Sequence, residues 1–145
     1  MTDTLKYGPQ TAEVEALLER ARTLTDVEVL ALGAVRGVVP DAALYTALYA
    51  AWDAVLSAAW GAARDAALYT VWNVARGSWD EVWDAVWDAV GGSGRDAALD
   101  AAYALFARDL ITPAGFTQAH YDLLTGPWRR VVGAVHPNDV VVAVV

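Results

Sequence analysis

Between residues 79 and 90 the apolar side chains fall at 79, 82, 83, 86, 87 and 90, in the order Trp, Val, Trp, Val, Trp, Val. That spacing is the period of an α-helix and predicts one broad apolar face. An aspartate follows each tryptophan, and Asp80, Asp84 and Asp88 fall on the other side of the same helix. Like charges four residues apart cost a few tenths of a kcal/mol per pair. Asp80 and Glu81, in the first turn, recover a similar amount from the helix dipole. The simplest role for the acid row is a solvated face. A cation site or a contact with a basic partner is the alternative, although hard cations usually draw their oxygens from loops. The tryptophans also have two readings. Facing alanine-rich helices, Trp79, Trp83 and Trp87 could fill the space that small side chains leave. They are equally the residue type that anchors protein interfaces, and they are the candidate interface residues here.

The rest of the chain carries helix punctuation. Thr25-Asp-Val-Glu28 and Ser78-Trp-Asp-Glu81 are capping-box patterns, and Ser93-Gly-Arg-Asp96 is a weaker one. Pro40 and Pro113 stand where a first helical residue would, with Thr112 as a cap for the second. Gly37, Gly77 and Gly91-Gly92 follow helical runs and read as stops. Helices are therefore predicted over 11–23, 26–36, 41–60, 62–76, 79–90, 95–110 and 114–125, with a further short one over 128–134. Gly61 either kinks a long helix or divides it. VVVAVV at 140–145 is the one strand-like stretch, and such an uncharged tail should dock on the body or pair with a strand of another chain. DAALYT occurs at 41–46 and again at 65–70, and DAALDA follows at 96–101. The spacing is uneven, so this is either a shared helical vocabulary or a duplicated helical hairpin within 41–110. The expected fold is all-α: a single domain over 1–145, a compact bundle of about six to eight helices with a short extended C-terminal tail.

Charge and composition exclude several partners. The net charge is −8, and Lys6 is the only lysine among ten basic residues. A basic groove for nucleic acid is not expected, nor an anchor on anionic lipid. The acids are too diluted by alanine to imitate DNA. Charge-free stretches such as 42–52 and 66–75 run about ten residues, and a membrane span needs roughly 18. No signal peptide is visible in MTDTLKYGPQ, so a cytoplasmic protein is the expectation. Cysteine is absent, which removes disulfides, thiolate chemistry and Cys-based zinc sites.

Residues that could do chemistry gather in 112–139, TPAGFTQAHYDLLTGPWRRVVGAVHPND. This segment holds both histidines, His120 and His136, with Tyr121, Asp122, Trp128, Arg129, Arg130 and Asp139. Each also has a plainer role. His120 sits on a helix, His136-Pro-Asn-Asp139 is a turn sequence, and the arginines can pair with surplus acids. No nucleophile with an adjacent base, phosphate-binding loop or metal-ligand spacing is present, so no cofactor or metal is expected and catalysis is disfavoured.

In composition and in segments such as DAALYTALYAAWDAV, the chain resembles small uncharacterised Ala/Trp-rich helical proteins of actinobacteria and their phages. HYDLLTGPWRRVVGAVHPND (120–139) looks like a signature segment of that group. The resemblance implies no activity. It implies an accessory protein of a phage or mobile element that binds a host or phage protein. The leading expectation is a non-catalytic protein-interaction module, self-associating into a homo-oligomer through its aromatic helix faces. The alternative is a small-molecule binder with an aromatic pocket and His120, Tyr121, Trp128, Arg129, Arg130 and His136 as ligand-binding residues.

Overall fold

A computed structural model describes residues 10–62, 68–112 and 115–139. The fold is all-α. Among the described residues the chain forms α1 (Thr11–Ala21), α2 (Asp26–Gly37), α3 (Asp41–Ala62), α4 (Leu68–Ala89), α5 (Arg95–Phe106) and α6 (Gln118–Val131). Single 3-10 turns at Gly92–Gly94 and Arg108–Leu110 precede and follow α5. An isolated bridge joins Ile111 to Phe116. The tail 140–145, the N-terminal nine residues, Pro113 and the first part of the second DAALYT copy lie outside the described residues.

The central element is α5, which touches all five other helices. The reason is its composition. Residues 97–105 are buried without interruption, and five of them are alanine. A helix that is apolar all round is stable only inside, and alanine lets neighbouring backbones come close from every side. Around it, α1 buries Val14, Leu17 and Leu18; α3 buries Leu44, Ala47, Ala51 and Val55; and α6 buries Tyr121, Leu124 and Trp128.

Local signals hold where they are strongest. Thr25 caps α2 in a reciprocal box: its Oγ1 accepts from the Glu28 amide at 3.1 Å, and its own amide donates to Glu28 Oε1 at 2.9 Å. The Thr25 bond, and next the Arg20 guanidinium 2.6 Å away, hold the Glu28 carboxyl below its usual range. Gly61 neither ends nor divides α3, which runs across it to Ala62.

Four boundaries differ from the sequence expectation. Gly77-Ser78 does not separate two helices, and α4 runs through both residues. A glycine in a helix costs up to about 1 kcal/mol, less than the burial of Val82, Val86 and Val90 on one continuous face returns. Gly126-Pro127 likewise does not break α6, because Leu124, Pro127 and Trp128 are all buried on its core side. That helix starts at Gln118, four residues later than its expected start at 114, and its cap is Thr117. His120 occupies the position that Glu usually takes, with Nδ1 accepting from the Thr117 amide at 3.1 Å. Finally, the N-cap position of α5 falls on Gly94, one residue later than expected. Gly94 precedes that helix with no side-chain cap, and Arg95 Nε turns back to the Val90 carbonyl at 2.9 Å, closing the end of α4.

The turn into α5 depends on glycine. Gly92 has φ +70°, in the left-handed region, and a Cβ on Gly94 would stand 3.0 Å from the Val29 carbonyl oxygen. The start of α5 therefore lies against the α2 backbone. Gly94→Ala is expected to cost about 2 kcal/mol, because the obstacle is backbone and cannot rotate away. Thermal unfolding followed at 222 nm checks this, and an unchanged midpoint would refute the close approach.

Candidate functional site

Helix α4 sorts its large and small apolar residues. Val82 and Val86 are fully buried and Val90 nearly so. Trp79 is half-buried, but Trp83 and Trp87 are 41% and 46% exposed. On this helix the valines fill the interior of the bundle, and the two larger rings of Trp83 and Trp87 stay at its rim. They stack on each other at 5.0 Å between ring centroids, 26° from parallel. The Arg95 guanidinium lies 3.5 Å from the Trp87 ring centroid, a cation–π contact. Asp80, Glu81, Asp84 and Asp88 are all exposed along the same helix.

Trp79 turns inward. It stacks flat on Tyr103 of α5 at 4.1 Å and 2°, and meets Trp52 of α3 edge-on at 5.3 Å. Phe106 closes the group at 6.0 Å. On the solvent side, Tyr45 and Tyr49 stand one turn apart on α3, 61% and 67% exposed. Tyr45, Tyr49, Trp52, Trp79 and Tyr103, with Leu48 and Asp80, line a groove of about 430 Å³ between α3, α4 and α5. Burial first, and then the charges of Asp80, Asp100 and Asp84, push the Tyr103 hydroxyl well above the usual phenol range. The phenol therefore stays protonated. Tyr45, Tyr49, Trp52 and Tyr103 were not among the residues singled out from sequence. The available signal was the helical spacing 45, 49, 52 in ALYTALYAAW.

The segment 118–139 forms a different object, a buried polar cluster. Tyr121 is fully buried and donates its hydroxyl to Asp139 Oδ1 at 2.8 Å. Asp139 Oδ2 accepts from the amides of Val135 and His136 at 2.9 and 3.0 Å. Two guanidiniums face this carboxylate, Arg108 at 3.6 Å and Arg129 at 3.8 Å, and the Asp139 side chain is 1% exposed. Arg108 also lies 4.6 Å from the centre of the Tyr121 ring. Arg129 pairs further with Asp122 at 3.0 Å. Burial, then the bond and charge of Asp139, push the Tyr121 hydroxyl well up.

Of the six residues expected to bind a ligand, Tyr121, Arg129 and the His136 amide thus meet at Asp139. Trp128 is in the core at 2% exposure, and Arg130 is exposed in the last turn of α6. The His120 ring caps α6 and stacks near Phe116, and His136 Nδ1 accepts from the Asn138 amide within the expected turn. None of these residues lines the aromatic groove. The pocket and the Arg/His anchors, joined in the small-molecule reading of the sequence, are therefore in separate places. Among the described residues no three His, Asp or Glu side chains converge on a metal position, and no helix is long and apolar enough to cross a membrane.

No family model matches the chain, and neither a curated protein nor a solved structure matches it.

Proposed function

We propose that the protein is a non-catalytic interaction module that docks a partner protein on the outer face of α4, with Trp83 and Trp87 as anchors. One observation carries this reading: two stacked indoles stand nearly half open to solvent while the valines of the same turns fill the core. Covering the rest of each ring would contribute on the order of 2 kcal/mol, and paired tryptophans with an adjacent arginine are the usual composition of a binding hot spot. The exposed acids around the rings select the partner. Two copies meeting through α4 would oppose their acid rows, whereas a partner with basic residues would pair with them. If the resemblance to actinobacterial and phage proteins extends to biology, that partner is a host or phage protein.

Self-association is the second reading, and a different surface favours it. Val27, Leu30 and Val38 are 66–79% exposed, and with the exposed Ala34 they run along the outside of α2. Only Leu32 of that helix is buried. Asp26 and Glu28 flank the stripe at Val27, but no carboxylate lies from Leu30 to Val38, so a second copy could approach that part with little charge repulsion.

Native mass spectrometry of the gently purified 145-residue chain separates the two. A mass containing a foreign chain is expected, and Trp83→Glu with Trp87→Glu should weaken that complex at least about 100-fold with an unchanged helical spectrum. A whole multiple of the chain mass that survives this change and is lost in Leu30→Glu would transfer the function to α2. A bare monomer at all concentrations would overturn both readings.

A further inference from the structure

We propose, resting on the reading that a partner docks at Trp83 and Trp87, that this partner presents a basic amphipathic helix. It lies along α4 with its apolar side on an aromatic strip and its lysines or arginines on Asp84 and Asp88.

The strip is longer than the two exposed tryptophans. Trp79, Trp83 and Trp87 stand one turn apart on α4, about 12 Å from first to last along the helix axis. Trp79 is the inner end, where it lines the groove with Tyr45, Leu48 and Tyr49. Trp83 and Trp87 carry the row on toward the end of α4, stacked on each other. Tyr45 and Tyr49, also one turn apart, border it from α3. Their side chains do not fill the core, which Leu44, Ala47 and Ala51 do from the other face of that helix. The exposed large apolar side chains of the described residues thus gather in two places. Tyr45, Tyr49, Trp83 and Trp87 belong to this strip, and Val27, Leu30 and Val38 to α2. Concentration of that kind marks an interaction surface.

Period and charge choose the occupant. The rings repeat once per turn of α4. A helix laid alongside repeats at the same pitch of about 5.4 Å, so its apolar residues at i, i+4 and i+7 meet successive rings. A strand would need an open sheet edge for its backbone, and the walls here are the helices α3 and α4, whose backbone bonds are internal. Asp84 and Asp88 are exposed and also one turn apart. In the helical register they follow Trp83 and Trp87 on the solvent side, so basic residues one turn apart on the partner face both carboxylates while its apolar side covers the rings. Pairs at such a rim set association rate and choice of partner more than affinity, which the rings supply.

The probe is a synthetic alanine-based peptide of about 18 residues, long enough to hold a helix, with leucines at i, i+4, i+7 and i+11 and lysines beside them. Three controls share its length: glutamate for lysine, a central proline, and a scrambled order. Binding is read by peptide fluorescence anisotropy and by amide NMR shifts. The lysine helix is expected to bind saturably and to move residues 45–49 and 79–88, with each control at least about tenfold weaker. Trp83→Ala with Trp87→Ala should weaken it at least about tenfold. Asp84→Asn with Asp88→Asn should weaken it about tenfold at low salt and flatten its salt dependence. The helical spectrum stays unchanged, because all four positions are exposed. No saturable binding up to about 1 mM would overturn the proposal. So would a control that binds equally well, or indifference to the aspartate pair. If a partner found by native mass spectrometry needs Trp83 and Trp87 but not Asp84 and Asp88, docking stands and the basic helix falls. A lysine helix held independently of the tryptophans would overturn both.

Discussion

Asp139→Ala is expected to destabilise the fold by about 3–5 kcal/mol, the largest single effect anticipated for this protein. The carboxylate is 1% exposed and has five partners: the Tyr121 hydroxyl, the amides of Val135 and His136, and the guanidiniums of Arg108 and Arg129. Removing it leaves buried donors without an acceptor. It also strands the Arg108 charge, for which Asp139 is the carboxylate in reach among the described residues. The cost comes from that orphaned charge more than from lost attraction, which makes the argument checkable by a second substitution. Adding Arg108→Met to Asp139→Ala should restore part of the stability, because it removes the charge that had been stranded. Asp139→Asn, which keeps an acceptor for Tyr121, should fall between wild type and alanine. Urea unfolding at pH 7, followed by tryptophan fluorescence, reads all three. A loss below about 1 kcal/mol for Asp139→Ala would mean that the cluster is hydrated, not locked.

The second large effect is a dependence on pH centred on Asp100. This residue sits in the middle of buried α5, and its Oδ2 accepts from Arg36 Nε at 2.7 Å. Burial is the main influence and pushes its carboxyl up to about 6, against the opposing pull of Arg36. Arg36, with Asp96 also 3.9 Å away, stays charged throughout. Between the unfolded value near 3.8 and the folded value near 6, the folded protein holds a proton that the unfolded chain releases. Stability from this group therefore rises as pH falls through 6, is complete below about 3.8, and is absent well above 6. A shift of roughly two pKa units corresponds to about 3 kcal/mol over the full window, of which about 1 kcal/mol appears between pH 7 and pH 5. Asp100→Asn should lack that increment. Equal pH slopes in the two proteins would show that Asp100 is ionised in the fold down to ordinary carboxylate pH.

Both effects involve contacts that no reading of the chain could have paired. Asp100 was part of a repeated DAALDA phrase, and its partner lies 64 residues earlier. Asp139 was legible as the last residue of a turn, which it is, through its amide to the His136 carbonyl at 3.0 Å. Its ion pair with Arg108, 3.6 Å away and before α6 in the chain, was not visible. In 112–139 the concentration of polar residues was apparent, but the same residues suit a ligand site and an internal lock. The difference is burial, which depends on what packs above them.

What the sequence determined by itself is local. The all-α class, the Thr25–Glu28 cap, the helical course of 41–60 and the 136–139 turn follow from signals confined to a few residues, where helical period and backbone donors decide the outcome. What only the tertiary structure decided is which side of each helix faces in. The stripe 79–90 contains valines and tryptophans on one broad face, and periodicity treats them alike. Packing of the bundle separates them: Val82 and Val86 are buried in the core, and Trp83 and Trp87 are left at its rim. The same packing carried α4 through Gly77 and α6 through Pro127, where local propensity argued for a break. Side-chain volume matched between segments distant in the chain settled these points, and that match exists only once the helices have met.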